Sequence, residues 1–350
     1  MFLRMTDEQP GQRRRRTRVL RAMGIVLGAT LVVGAAGAGW AYWHFDRNIK
    51  GVDINSALGT DRPQRASATP SASASASLPA VPSGTMNILV LGSDSRTGKK
   101  NQALGGGESG GARSDTAMVV HINADHTAAT VVSIPRDTLV TRPSCPTPSG
   151  GSTSVAYNAM FNSAYSVGGP VCAVKTVEKM TGVRMDHYME IDFAGFAELI
   201  DALGGVTVTT TQDIDDKDSH LRLAAGTHRL DGKQALAFAR TRHALGDGSD
   251  LGRIVLQQQL VKAMLTEMSA GDLLTDPLKL YKVADAVTGS LTTDTGLDSL
   301  GELTDLAQGL RQIEPGALTT VMMPVLQAPS DRNRVVADEP EASELWASLR

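Results

Sequence analysis

The run Arg240-Thr-Arg242-His243, followed by Asp250-Leu-Gly-Arg253-Ile-Val-Leu-Gln257, gathers guanidinium groups where ordinary packing has little use for them. Arginine keeps its charge and offers a planar fork of donors, so several converging on one point form a clamp suited to phosphate or pyrophosphate. Three further Arg/Asp pairs lie at the edges of apolar runs, in NILVLGSDSR (87–96), RSDTAMVVHI (113–122) and VVSIPRDT (131–138). They add Asp94, Arg96, Arg113, Asp115, Arg136 and Asp137. Carboxylates among so many cations point to a hard, oxygen-seeking metal, because Mg²⁺ is held by one or two carboxylates plus substrate phosphates. Asp94 and Asp115 are the expected Mg²⁺ ligands. The competing reading is a set of exposed ion pairs, which contribute little.

The elements that must position these groups are legible from periodicity. NILVLG reads as a buried strand, and strand-like runs follow at 116–123, 127–134, 186–193 and 206–211, with 318–325 returning late. Helical stretches alternate with them: 171–180, 194–203 stopped by Gly204-Gly205, 233–239, 251–268, 278–287 and 297–312. Apolar strands interleaved with helices predict a three-layer α/β/α sandwich with a central mixed sheet. Arg240 and Arg242 share a side only in extended chain, so the helix before them should end near Ala239. Arg253 and Gln257, four apart, share a helical face; alone, they would equally suit a solvated polar stripe. Asp115 has a rival role capping a turn, and Arg136 with Asp137 a rival role as a structural pair. GSDSRTGKK fails as a phosphate-binding loop, because its glycine spacing is wrong and Lys100 stands where Ser or Thr belongs.

Charge distribution says more than the net charge of −3. Arg13 to Arg16, Arg18 and Arg21 precede Ala22 to Trp43, which carries no charged residue and is long enough to cross a bilayer. The basic flank keeps that end cytoplasmic, and Trp40, Tyr42 and Trp43 resemble an interfacial belt. A cleaved signal peptide ending near Ala36-Gly-Ala38 competes, although its apolar region would be unusually long. The expected organisation is a cytoplasmic tail (1–21), a single membrane anchor (22–43), a Ser/Ala/Pro-rich linker (44–84), a catalytic domain (85–328) outside the cytoplasm and a polar tail (329–350), partly frayed. An exported domain makes a disulfide between Cys145 and Cys172 the expectation, against two buried thiols. No Gly-x-Ser-x-Gly elbow or Cys/His pairing supports a covalent nucleophile. Aromatic content of 4% leaves few platforms for stacking bases, so no nucleic-acid partner is expected.

The ordered series NILVLGSDSR, RSDTAMVVHI, VVSIPRDT, FNSAYSVGGPVCAVKTVEKMTGV, DHYMEIDFAGF, LIDALGGV, LDGKQALAFARTRH and DLGRIVLQQQ resembles the LytR-CpsA-Psr family of cell-envelope phosphotransferases, from about Met86 to Gln259. The resemblance implies transfer of a phosphoglycan, such as teichoic acid, capsule or an arabinogalactan-like polymer, from a polyprenyl pyrophosphate carrier to peptidoglycan. It also implies Mg²⁺ and an apolar channel between sheet and helices for the lipid. Residue by residue, Asp94 and Asp115 match the metal positions, and Arg113, Arg136, Arg240, Arg242 and Arg253, with Gln257, match the pyrophosphate-binding positions. Met160 departs from a basic residue common in the family, and Leu256 from an arginine. The alternatives are a pyrophosphatase that passes the phosphoryl group to water and a non-enzymatic envelope regulator, the latter disfavoured by a tail too short for a helix-turn-helix.

Overall fold

The computed structural model describes residues 36–65, 84–93, 114–147, 150–241, 250–269 and 276–350. The chain divides into two units, 1–47 and 48–350. In the first, the described residues are helical, with Trp40 stacked on His44 and the Arg47 guanidinium 4.5 Å from the Trp43 ring. Most of the expected anchor, 22–35, lies outside the described residues. No helix among the described residues is long and apolar enough to cross a membrane.

The second unit is built on a seven-stranded mixed sheet. Its strands are β1 (Lys50–Val52), β2 (Met86–Ser93), β3 (Ser114–Ile122), β4 (Ala129–Ile134), β5 (His187–Asp192), β6 (Leu291–Asp294) and β7 (Leu318–Met322), in spatial order β1-β6-β5-β2-β3-β4-β7. β2 pairs antiparallel with β3 and parallel with β5, while the late strand β7 returns parallel beside β4. The helices are α1 (Phe161–Thr181), α2 (Phe193–Leu203), α3 (Gly232–Arg240), α4 (Asp250–Ser269), α5 (Pro277–Ser290) and α6 (Leu300–Leu310).

Alternate residues of the central strands serve the two faces, so both must be covered. On one face Leu89, Leu91, Val119 and Val132 pack with Phe161, Val174 and Val177 of α1. On the other, Ile88 and Ile122 meet α6 through Leu306 and Leu310, and Ile191 packs with Leu199 and Leu203 of α2 and Val283 of α5. Helices, sheet and helices form the three expected layers. α1 starts ten residues before the predicted helix and is broken at Gly168 and Gly169, where φ of +61° at Gly169 suits glycine. A Cβ at Gly168 would lie 2.7 Å from that of Cys172, so glycine also makes room for the Cys145–Cys172 disulfide.

The run read as a strand at 206–211 is one, and Val206–Thr210 pairs with Gly226–Leu230 in a separate two-stranded antiparallel sheet, its alternating burial matching one covered face. Two expectations need correcting. The stretch read as linker contributes edge strand β1 and the helix Ile54–Leu58, which buries Ile54 and Leu58 in the core. The tail after 329 is not frayed: Asp331–Ala337 pairs with Val325–Ala328, and the helix Glu341–Ala347 buries Trp346 at 3% exposure. Single large apolar residues in polar sequence supply these docking points, and they give little periodicity to read.

A buried carboxylate fastens β6 to β5. Asp294 accepts from the backbone N–H groups of Tyr188 and Gly296 and faces His187 Nδ1 at 3.1 Å. Burial alone would raise its pKa, but these hydrogen bonds and the His187 charge outweigh it and hold the carboxyl below the usual range. A carboxyl depressed in the folded state stabilises above its unfolded pKa, and that contribution is lost as pH falls through the folded value. Asp294→Asn should therefore lower the melting temperature at pH 7, and the gap from wild type should shrink with acidification. For the disulfide, protein isolated without reductant should show no free thiol, and Cys145→Ser with Cys172→Ser should cost about 3.5 kcal/mol in denaturant unfolding, as expected for a loop closed across 27 positions.

Candidate active site

β2 and β3 meet with a register shift between Gly92 and Ser93: Gly92 faces Thr116 and Ser93 faces Ser114. Asp115 is the extra residue of this bulge, and bulges re-aim side chains at strand ends. A Cβ at Gly92 would come within 3.1 Å of Thr116 Cβ, so glycine keeps the strand end slim there. Arg136, just after β4, donates from Nη1 to Asp115 Oδ1 at 2.6 Å. Asp115 thus holds an ion pair in a bulged strand, and its rival role as a turn cap is not the one adopted. Arg136 Nε lies 3.6 Å from Asp137, which also faces Arg334 at 3.7 Å. The structural Arg136/Asp137 pair is present, and weaker than the Asp115 contact.

α3 begins with a capping box, Asp231 and Gln234 bonding each other's backbone N–H groups. A Cβ at Gly232 would collide with the Ala197 carbonyl oxygen, so glycine permits the close crossing with α2. The helix ends at Arg240, one residue beyond the expected stop, and Thr241 is extended. Arg240 places its guanidinium 4.9 Å above the Phe193 ring, a cation–π contact.

α4 brings Arg253 and Gln257 inward, at 4% and 7% exposure, which overturns the solvated-stripe reading. Arg253 Nη2 donates to the Asp115 carbonyl at 3.0 Å. Gln257 Nε2 donates to Thr116 Oγ1 at 3.0 Å and to the Ala239 carbonyl at 3.1 Å. One glutamine side chain therefore ties α4 to β3 and to the end of α3. Gln258 adds a bond to Ser133 Oγ at 3.3 Å. Leu256 points instead into the core with Ile200 and Phe238, so the departure from arginine there removes no group from the clamp.

These residues line a cavity of about 380 Å³ between the sheet and helices α2, α3 and α4. Asp115, Arg240, Arg253 and Gln257 all face it, and Arg136 reaches it through Asp115. The lining changes character along each element: Gly92 to Val90 on β2, Thr116 to Met118 on β3, and Gln257 to Leu260 and Met264 on α4. One end carries charged side chains of both signs, Arg240 and Arg253 with Asp115, Asp192 and Asp218, and the body is apolar. Asp94, Arg96, Arg113, Arg242 and His243 lie outside the described residues; Ser93, the chain neighbour of Asp94, is paired with Ser114 beside Asp115. Sequence reading missed Phe193, Asp218 and Ser219, which also line the cavity. The Asp192-Phe193 pair signals a strand-to-helix junction, since Asp192 caps α2 through Gly195 N, but nothing in the spacing foretells the contact with Arg240.

A model of the LytR_cpsA_psr family matches residues 42–350. The chain belongs to that family. LcpB of Corynebacterium glutamicum, named a probable cell wall biosynthesis protein, is 35% identical over 271 residues, covering 75% of this chain and 61% of that one. TagU of Oceanobacillus iheyensis, named a polyisoprenyl-teichoic acid–peptidoglycan teichoic acid transferase, is 34% identical over 226 residues, covering 65% of this chain and 64% of that one. The chain thus spans less than two thirds of the length of either relative. Among solved structures, a LytR-Csp2A-Psr enzyme from Actinomyces oris superposes with a TM-score of 0.61 at 24% identity, covering 86% of this chain and 95% of that one, a likeness of fold.

The Phe193 ring supports the Arg240 guanidinium. Phe193→Leu should keep the fold and lower turnover by about tenfold, the order expected when a partly desolvated cation–π contact is lost. Equal kcat/KM for the variant and wild type would show that Arg240 needs no such support.

Proposed function

We propose that this protein transfers a phosphoglycan from a polyprenyl pyrophosphate carrier to peptidoglycan, forming a phosphodiester link and releasing polyprenyl phosphate. One observation carries the reading: a single cavity joins a charged end, where Arg240 and Arg253 stand among carboxylates, to an apolar body, as a metal-bound pyrophosphate on a lipid chain would require. The name of TagU, and a solved structure described as TagT bound to LI-WTA that superposes with a TM-score of 0.56 at 24% identity over 76% of this chain and 89% of that one, agree with it.

The chemistry follows from charge. An acceptor hydroxyl oxygen attacks the phosphorus bonded to the glycan, a new P–O bond forms, and the bond to the bridging pyrophosphate oxygen breaks. Polyprenyl phosphate leaves with the electron pair, and the hydroxyl proton passes to a base. Negative charge grows on the phosphoryl oxygens and the leaving group, where Arg240 and Arg253 stabilise it without a covalent intermediate. Arg136 orients Asp115, and Gln257 fixes the spacing of α3, α4 and β3.

The donor set fits Mg²⁺. Asp115 is a strand-end carboxylate in a cavity that also holds the Arg240 and Arg253 guanidiniums, and Mg²⁺ takes few protein ligands and completes its shell with phosphate and water. Asp115, with Asp94, would hold it, and the bound ion would supply Lewis-acid stabilisation of the phosphoryl oxygens. The setting proposed is the outer face of the cell membrane, behind a single-pass anchor with a cytoplasmic N terminus. The disulfide supports it, because such bonds persist where thiols are oxidised.

The test supplies a polyprenyl pyrophosphate-linked glycan with and without peptidoglycan and follows polyprenyl phosphate and glycan-bearing peptidoglycan together. Transfer requires both products in equal amount; lipid release with no acceptor product would make the protein a hydrolase. Arg253→Met should reduce transfer by about 10²–10³-fold, the loss typical of one electrostatic donor. Asp94→Ala and Asp115→Asn should each abolish Mg²⁺-dependent turnover with little change in melting temperature. Full activity in both would remove the metal role, and a collapse in melting temperature would make these carboxylates structural.

A further inference from the structure

At the other end of β2, a second cavity of about 450 Å³ is enclosed by Gln64, Arg65, Asn87, Arg184, Asp186 and Arg350, among others. Three of these carry guanidinium groups, and Arg62 adds a fourth positive charge that acts on Arg184. The two carboxylates nearby are already engaged. Glu178 accepts from Arg62 Nη2 at 2.6 Å and from Met185 N at 3.0 Å. Asp186 accepts from Arg65 Nε at 2.7 Å and from Asn87 N at 3.0 Å. Arg350 donates to the Thr181 carbonyl at 3.2 Å, at the C-terminal end of α1.

Arg184 is provided for differently. Among the described residues it makes one hydrogen bond, from Nη1 to the Pro63 carbonyl at 3.4 Å, and no ion pair, and its buried Nε has no partner. Burial, followed by the charges of Arg62 and Arg65, pulls its pKa below the ordinary guanidinium range, with Glu178 and Asp186 only partly opposing. A guanidinium kept among guanidiniums beside an open cavity is stabilised by an anion that enters it.

We propose that this cavity is a second anion site, separate from the pyrophosphate clamp, in which Arg184, with Arg65 and Arg350, binds a phosphate group. Arginine forks from separate chain segments suit a tetrahedral oxyanion that accepts in several directions, and the space admits the group esterified to it. An anionic lipid headgroup and free phosphate share this chemistry.

The test follows thermal unfolding of the full chain, at matched ionic strength, in chloride, in inorganic phosphate and in glycerophosphoglycerol, the diester headgroup of an anionic lipid. Because phosphate also enters the clamp, wild type, Arg184→Met, Arg65→Gln and Arg240→Met are compared. Arg184→Met should unfold near wild type in chloride, since it removes a repelled cation, and should lose affinity for the anion by about tenfold or more at this site. Arg65→Gln, at an exposed side chain whose loss also frees Asp186, should weaken the same component, and Arg240→Met should leave it intact. Stabilisation by glycerophosphoglycerol assigns a lipid headgroup, and stabilisation by inorganic phosphate alone assigns the free ion. Phosphate titrations of Arg184→Met and Arg65→Gln that overlay wild type, or no stabilisation by either probe, would overturn the proposal.

Discussion

Arg253 is a permanent cation held inside the protein, and the architecture around the site is organised by that burden. Taking a guanidinium out of water costs several kcal/mol unless its donors are met. Part of that cost is offset at the bulge of β3, where the Asp115 carbonyl accepts from Arg253 Nη2 while the Asp115 carboxylate is held by Arg136. The bulge therefore performs two functions: it turns a carboxylate toward the cavity and exposes a carbonyl to α4. A regular ladder would have committed that carbonyl to strand pairing. Gln257, one turn along, secures the same helix to Thr116 and to the end of α3, so the cation cannot move without dragging three elements.

The rest of the cavity follows from lengths. Successive same-face positions on a strand lie roughly 6.5 Å apart, and successive turns of a helix about 5.4 Å apart. Stepping once along β2, β3 or α4 therefore moves from the polar end to Val90, Met118 or Leu260 in register. Three elements change polarity at the same depth. An amphipathic ligand is then oriented by the scaffold itself, with its charge at the strand ends and its hydrocarbon against the sheet.

Much of this was legible in sequence for physical reasons. The central strands are buried on both faces and read as continuous apolar runs, and the helices have clear stops at Gly204-Gly205 and near Arg240. Arg240, Arg253, Gln257 and Asp115 were marked by their type and by their position at element ends, where packing has no use for charge. The misses share another cause. β1, the helix at 54–58 and the C-terminal hairpin and helix are short, and what docks them is a few side chains such as Ile54 and Trp346, not a repeat. The strand 206–211 alternates as a half-buried strand should, but alternation does not say which sheet it joins. Phe193 was invisible for a different reason: an aromatic at a strand-to-helix junction is normally core, and only the fold brings Arg240 over its ring.

Carboxylates lining the cavity might be thought hostile to a pyrophosphate, yet their placement answers this. Asp115 is paired with Arg136, and Asp192 caps the N terminus of α2 through Gly195, where the partial positive charge of the helix start opposes its own. These two are each anchored by positive charge on the protein side, and with Asp218 and the two arginines also in the lining, the field toward the ligand is set by the balance of all these groups and not by one carboxylate alone. Fixed dipoles and pairs of this kind need no rearrangement when charge develops on a phosphoryl group, and that preorganisation distinguishes a site from a patch of surface salt bridges. Asp115, Arg240, Arg253 and Gln257, held by three elements around one cavity, are what separate those two readings of the same arginines.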